Sequence, residues 1–243
     1  KRNNQRNHRV TIMGNYLITG GSSGIGKALI EKLANQGHTV YATYNSTPPE
    51  NYANVHFQQF DVLTDTLDLD ALPEQIDGLA YCPGRINLKP FKRFKEEDFM
   101  DDYKVQVIGA TKVIQTIMPR LRSTENASIV LFSTVAVQNG YNYHSLVSSS
   151  KGAIEGLTRA LSAEFAPKIR VNAVAPSLTD TPLASKFLNT PQKMEMQTEK
   201  NPLKKVGSAN DVAKAATFLL TPQSSWITGQ IIHIDGGSSI IKQ

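Results

Sequence analysis

The sequence predicts a single-domain α/β protein built on one doubly wound parallel sheet with helices on both faces. Three observations predict it. Seven strand-like apolar runs alternate with helical patterns, and such alternation builds right-handed βαβ units and hence a parallel sheet. A glycine-rich stretch joins the first strand-like run to the first helical one. No linker, repeat or low-complexity tract divides the 243 residues, a length that suits one large α/β domain.

In chain order, strands are expected at Tyr16–Thr19, Val40–Tyr44, Val55–Phe60, Gly78–Cys82, Ser128–Ser133, Arg170–Val174 and Gln230–Ile234. Helices are expected at Ile25–Gln36, Leu67–Ile76, Glu96–Arg122, Ser145–Ala166 and Ala209–Leu220. On the Ser145–Ala166 helix, Ser150, Ala153, Gly156, Leu157, Ala160 and Leu161 form a stripe of small and apolar residues. That stripe reads equally as packing on the protein's own sheet or as a subunit interface. The least regular part is Thr181–Pro202, with Pro182, Pro191 and Pro202. It reads as an excursion over the strand ends, where open α/β sheets bind their ligands. Leu183, Phe187, Leu188 and Met194 would form an apolar wall there, or ordinary packing.

Charge and composition exclude several classes. Lys1, Arg2, Arg6 and Arg9 fall in the first twelve residues, which hold no acid, and so account for all but one of the five net positive charges. Lys1–Ile12 therefore reads as a basic, disordered tail and residues 13–243 as the domain, with Met13 a candidate native start. The remainder has no basic stripe, which argues against nucleic-acid binding. No apolar run reaches the ~20 residues that a membrane-spanning helix needs, and no secretion signal opens the chain. The single cysteine, Cys82, rules out an intrachain disulfide and fits a reducing cytoplasm. No metal site is expected.

The stretch Thr19-Gly20-Gly21-Ser22-Ser23-Gly24-Ile25-Gly26 carries the first chemistry. Glycines permit a tight turn and let the backbone approach a ligand closely. A helix beginning there presents free N–H groups and partial positive charge to a pyrophosphate. Gly20, Gly24 and Gly26, with Ile25 between them and the Ser22 and Ser23 hydroxyls, are the expected phosphate cradle of a Rossmann-type fold. The second strand ends Tyr44-Asn45-Ser46-Thr47 without an acid. An NAD site usually places a carboxylate there for the ribose 2′-OH, so its lack favours NADP(H) over NAD(H). Asn45, Ser46 and Thr47 are possible donors to a 2′-phosphate and Lys27 a possible counter-charge, although no arginine is obviously placed to clamp it.

With these motifs the chain resembles the short-chain dehydrogenase/reductases over roughly residues 15–240. The T-G-x-x-x-G-I-G stretch is similar to that family's cofactor signature. Asp61-Val62 resembles the pair that reads the adenine, and Cys82-Pro83-Gly84 stands where the family has an N-A-G stretch. Ser150-Lys151-Gly152-Ala153 resembles the start of the active-site helix. Arg170 through Pro176, with Thr181-Pro182, resembles the segment that touches the nicotinamide, and Thr228-Gly229-Gln230 through Asp235-Gly236-Gly237 the C-terminal strand. The resemblance implies hydride transfer between a nicotinamide and a carbonyl or alcohol, and a homotetramer or homodimer built on the two long helices. It also implies a serine, tyrosine, lysine and asparagine tetrad whose tyrosine gives the proton.

That tetrad is broken here. Counted by the family's spacing, its positions hold Gln106, Thr134, Val147 and Lys151. Lysine is kept, threonine keeps a hydroxyl, glutamine keeps an amide on a longer arm, and valine has no proton to give. His144, seven residues before Lys151 and close to its helix face, is a candidate replacement donor, or else it orders the loop before the helix. Tyr143 is a second candidate, and Ser148 is too weak an acid. Cys82 reads as packing rather than as a catalytic thiol. Three readings remain open: an oxidoreductase with an unusual proton donor, a nucleotide-binding sensor or partner subunit, and a non-redox enzyme on the same fold.

Overall fold

The computed structural model describes residues 13–241, so the basic tail expected at residues 1–12 lies outside the described residues. Seven strands form one all-parallel sheet: β1 (Asn15–Thr19), β2 (Thr39–Tyr44), β3 (Val55–Gln59), β4 (Gly78–Tyr81), β5 (Ala127–Phe132), β6 (Ile169–Pro176) and, after a two-stranded pair β7 (Thr179–Asp180) and β8 (Gly207–Ser208), β9 (Ile231–Ile234). The sheet order is β3-β2-β1-β4-β5-β6-β9. The chain therefore reverses direction across the sheet between β1 and β4, and ligands bind at such a switch point, outside the strands' carboxyl ends.

Strand pleating sorts the core into two layers. On one face Leu17, Leu79, Ile129, Leu131 and Val171 pack against α3 (Gly109–Arg122) and α4 (Ser145–Phe165). On the other, Tyr16, Ile18, Val40, Ala80 and Val130 pack against α1 (Gly24–Asn35) and α7 (Ala209–Leu220). Buried on both faces, the central strands read as unbroken apolar runs. The stripe on α4 divides between the two readings offered for it: Ser150 is buried, Ala153, Leu157 and Leu161 are partly buried on the sheet layer, and Gly156 and Ala160 are exposed.

Two expected helices are corrected. Leu67–Ile76 is irregular rather than helical, although Leu67, Leu72 and Ile76 are buried as a helix would have had them. Pro73 lacks an N–H to continue a ladder, and Asp68 Oδ1 instead takes the Asp70 N–H in a local turn. Arg120 then reaches across from α3 to the Leu72 and Pro73 carbonyls. The expected helix Glu96–Arg122 is α2 (Glu96–Tyr103), a π turn at Lys104–Ile108, then α3. The Thr181–Pro202 excursion also holds α5 (Ser185–Leu188) and α6 (Pro191–Lys200).

The π turn has an identifiable cause. The buried Tyr81 hydroxyl at the end of β4 donates to the Val105 carbonyl at 2.5 Å. It reaches that depth because residue 109 is glycine: a Cβ there would lie 2.2 Å from the Tyr81 oxygen. Widened helical turns of this kind recur at functional sites, and this one carries Gln106. Tyr81→Phe removes the only side-chain donor to that carbonyl among the described residues and should lower the unfolding free energy by about 1–3 kcal/mol. Chemical denaturation reads this directly; an unchanged midpoint would mean that the π turn closes without the bond.

Candidate active site

A cavity of about 860 Å³ opens at the carboxyl ends of β1, β2, β4, β5 and β6. Its first wall is backbone. Gly20 (φ 74°) and Gly24 (φ 54°) hold left-handed conformations that side chains disfavour. Gly26 is needed for proximity, because a Cβ there would lie 2.2 Å from the Gly20 carbonyl oxygen. The loop is pinned to β2 by Gly20 N–H to Thr43 Oγ1 (3.2 Å) and Gly21 N–H to the Thr43 carbonyl (2.7 Å). Ser23 caps α1 without a side-chain hydrogen bond to it. The first N–H groups of α1 are thus free of a hydroxyl cap, as an anion site requires.

All the expected cradle residues, Gly20, Ser22, Ser23, Gly24, Ile25 and Gly26, line the cavity. Asn45, Asp61 and Val62 line the adjoining end, with Thr43 in place of the expected Tyr44. Asp61 is held by the Leu63 N–H (2.8 Å) and the Asn45 amide (3.4 Å). Lys27, a possible counter-charge, lies away from the wall and pairs with Glu50 at 3.6 Å. In the middle, Cys82, Pro83 and Gly84 line the floor, and Pro176 and Thr181 face them. Burial pushes the Cys82 thiol up to about 12, so it stays a thiol and packs. A Cβ on Gly24 would sit 3.5 Å from Thr181, so the excursion after β6 closes onto the glycine loop.

The second wall is made of side chains from the π turn, β5 and α4. Lys151 Nζ donates to the Phe132 carbonyl at 2.8 Å. Burial lowers this amine to about 8, against the opposing pull of Asp102 and Cys82. Thr134 Oγ1 accepts the Ala136 N–H at 3.3 Å, which leaves its own proton to donate. Ser133 beside it is committed to the buried carboxylate of Glu155 (2.8 Å). Gln106 is 1% exposed, and its Oε1 is a buried atom with no partner. A Cβ on Gly84 would stand 3.4 Å from that oxygen and 3.8 Å from Lys151 Nζ. Both atoms therefore border the space that residue 84, as glycine, leaves open.

Val147 is buried and lines the cavity, and His144 lines it one turn earlier. His144 is the N-cap residue of α4, and its Nδ1 lies 2.8 Å from the Asn142 carbonyl. Ser148 turns to the Ala136 carbonyl, and Tyr143 is exposed (φ 69°) and outside the lining. Tyr141, not singled out by the sequence, lines the cavity with its ring 5.3 Å from His144. Of the expected apolar wall, Leu183 and Phe187 line the cavity, whereas Leu188 and Met194 do not. Arg85, Lys200 and Lys205 line it without having been expected. Only the position of Arg85, directly after Gly84, offered a signal. The cavity suits a dinucleotide, with a glycine-rich cradle at one end and an unpaired acceptor and an ammonium at the other. No His, Cys, Asp and Glu cluster fit for a metal ion occurs among the described residues.

Comparison with known proteins agrees with this architecture. A family model described as enoyl-(acyl carrier protein) reductase matches residues 20–239. A tropinone reductase homologue of Arabidopsis thaliana is 32% identical over 244 residues, covering 93% of each chain. A tropinone reductase homologue of Datura stramonium is 30% identical, covering 92% of this chain and 91% of its own. Among solved structures, ligand-free aldohexose dehydrogenase of Thermoplasma acidophilum superposes with a TM-score of 0.87 at 25% identity, covering 96% of each chain. ElxO with NADP bound superposes at 0.81 and 25% identity, covering 93% of this chain and 99% of its own.

Because α1 and the glycine loop cross without room for a methyl group, Gly26→Ala should cost about 3 kcal/mol of stability and weaken dinucleotide binding. Denaturation and a nucleotide titration test this together; wild-type values in both would mean that the crossing is looser than described.

Proposed function

This chain belongs to the short-chain dehydrogenase/reductase family of oxidoreductases, and we propose that it acts on a carbonyl or alcohol substrate with NADP(H), His144 taking the proton-donor role at a site whose tyrosine position holds Val147. One observation carries the proposal: His144 lies on the cavity wall with its ring anchored. A carbonyl only accepts, so the Asn142 contact puts a proton on Nδ1 and leaves Nε2 as the free ring nitrogen. Nε2–H of the imidazolium can then give a proton to a developing alkoxide, and the neutral ring can take one back.

The other groups support this reading. Thr134 has a hydroxyl proton left for a carbonyl oxygen, and Lys151 brings a positive charge beside the open space at Gly84. A nicotinamide dinucleotide, when bound, supplies or accepts the hydride. The glycine loop and the start of α1 would hold its pyrophosphate, Asp61 and Val62 its adenine end, and Pro176 and Thr181 its nicotinamide end. NADP(H) is favoured because the end of β2 itself lines the cavity with Thr43 and Asn45 and offers no carboxylate for a ribose 2′-OH, while the neighbouring Asp61 is engaged by the Leu63 N–H and the Asn45 amide.

The α3 and α4 faces are proposed to join copies in a homodimer or homotetramer. No described helix is long and apolar enough to cross a membrane. A cytoplasmic location is proposed on the lone Cys82, which fits a reducing compartment. A second reading, nucleotide binding without turnover, is favoured by one fact: Val147 brings no ionisable group to the wall it lines.

His144→Ala should reduce turnover by about 10²–10⁴ with NADPH affinity unchanged, read by steady-state kinetics beside nicotinamide fluorescence. An unchanged rate assigns the proton to another group. If the protein only binds nucleotide, wild type shows no turnover and Val147→Tyr creates weak reductase activity. Lys151→Ala should weaken binding under either reading, and undiminished affinity would overturn its placement.

A further inference from the structure

Beneath the second wall lies a polar cluster that the proposed chemistry does not use. Asp102 on α2 is 3% exposed, yet no cation lies within ion-pair distance of it among the described residues. Its Oδ2 accepts the Ser150 hydroxyl at 2.5 Å and the Gln106 amide N–H at 3.0 Å. Ser150 and Gln106 are themselves 2% and 1% exposed. A carboxylate buried without a paired cation is costly, so its presence in this position calls for a function.

We infer that Asp102 is a positioning residue of the active site: its carboxylate turns the Gln106 amide so that the oxygen lies beside Gly84 on the side of Lys151, and its charge holds Lys151 as an ammonium. The orientation follows from the partners. Gln106 Nε2 has acceptors in Asp102 Oδ2, in Ser150 Oγ at 3.3 Å and in the Arg85 carbonyl at 3.4 Å. Turned the other way, the amide would set its oxygen against a carboxylate and a carbonyl. With the nitrogen so engaged, Oε1 is left at the cavity beside Gly84 and toward Lys151.

The surroundings of Lys151 set its charge. Ser150, the residue before it, is bonded to Asp102. Burial pulls the amine down, and Asp102 on α2, then Cys82 at the end of β4, act the other way. Of these two, the thiol is neutral near pH 7 because burial raises it to about 12, so Asp102 is the standing negative charge. On the cavity wall around Lys151 stand Arg85, Tyr141 and His144, none of them a carboxylic acid, while Asp61 lines the end of the cavity beside Asn45; the buried Glu155, one turn after Lys151 on α4, is already engaged by the Ser133 hydroxyl and the Arg159 guanidinium. Oriented amide and maintained ammonium together fix the polarity of the wall beside Gly84.

The consequence for turnover rests on the proposed function, but the test does not, because it uses cofactor-free protein. The Lys151 amine is titrated by its rate of acylation across pH, followed by peptide mapping. Only the neutral amine reacts, so reactivity in the wild type should rise through about pH 8. Removing a neighbouring negative charge disfavours the ammonium, so Asp102→Asn should move the midpoint about one pH unit lower, and Asp102→Glu should restore it. An unmoved midpoint in Asp102→Asn would overturn the charge role. For the orientation, the Gln106 side-chain amide protons, assigned by Gln106→Ala, should exchange slowly with water in the wild type and quickly in Asp102→Asn. Fast exchange in the wild type, or equal protection in both proteins, would overturn it. Should Asp102→Asn fail to fold, Asp102→Ser, which also lacks the charge, replaces it in both measurements with the same expected results.

Discussion

The site begins from a missing side chain. Gly26 allows the first turn of α1 to cross the Gly20 carbonyl at a separation no Cβ would fit. That crossing sets how deep α1 lies on the sheet, and Leu29, Ile30 and Leu33 are buried in the layer with Ile18, Val40 and the α7 face because of it. It also aims the start of the helix along the carboxyl edge, where its free N–H groups meet the space between β1 and β4. Packing and binding are therefore one constraint: a helix displaced by a methyl group would loosen the core layer and lift the cradle together. Thr43 ties the same loop to β2 through both its hydroxyl and its carbonyl, so the first wall consists of backbone held rigidly from two sides.

The second wall is held differently. Tyr81 from β4 takes the carbonyl that the π turn exposes, and Gly109 makes room for it. The extra residue in the turn carries Gln106 to a depth where Asp102 and Ser150 engage its amide. Here side chains do the positioning, so substitution can change the chemistry while the fold and the cradle persist. Such a division lets a chain keep the whole architecture of an oxidoreductase family while the proposed proton-donor position carries valine.

What the sequence made legible follows the same division. Backbone-determined features, the glycine loop and the alternating strands, are local, and they lie where the pattern put them. Lys151 is legible because its helix is regular. The misreadings are non-local. Leu67–Ile76 has helical spacing, but Arg120, far along the chain, takes the carbonyls that a helix would have used, and Pro73 withholds a donor. The π turn depends on Tyr81 and Gly109 meeting across the core, which spacing along Glu96–Arg122 does not display. At the end of β2 the parity of the pleat decides which residue faces the cavity, and the register puts Thr43 there rather than Tyr44. Asp102 passes for one more acid in the acidic helix α2 until its burial is known.

The balance between catalysis and mere binding turns on what the second wall costs. A nucleotide-holding protein could rely on the backbone wall alone. This chain also carries a buried carboxylate without a paired cation and an amide oxygen with no partner, each of which destabilises the fold by an amount burial of apolar groups would avoid. It further keeps a threonine whose proton is uncommitted and an ammonium held in a half-buried position. Groups that break local rules of stability without a structural gain are those that sites for chemistry retain. Gathered around the same opening above Gly84, they argue for a wall arranged to act on a second molecule rather than simply to close a nucleotide pocket.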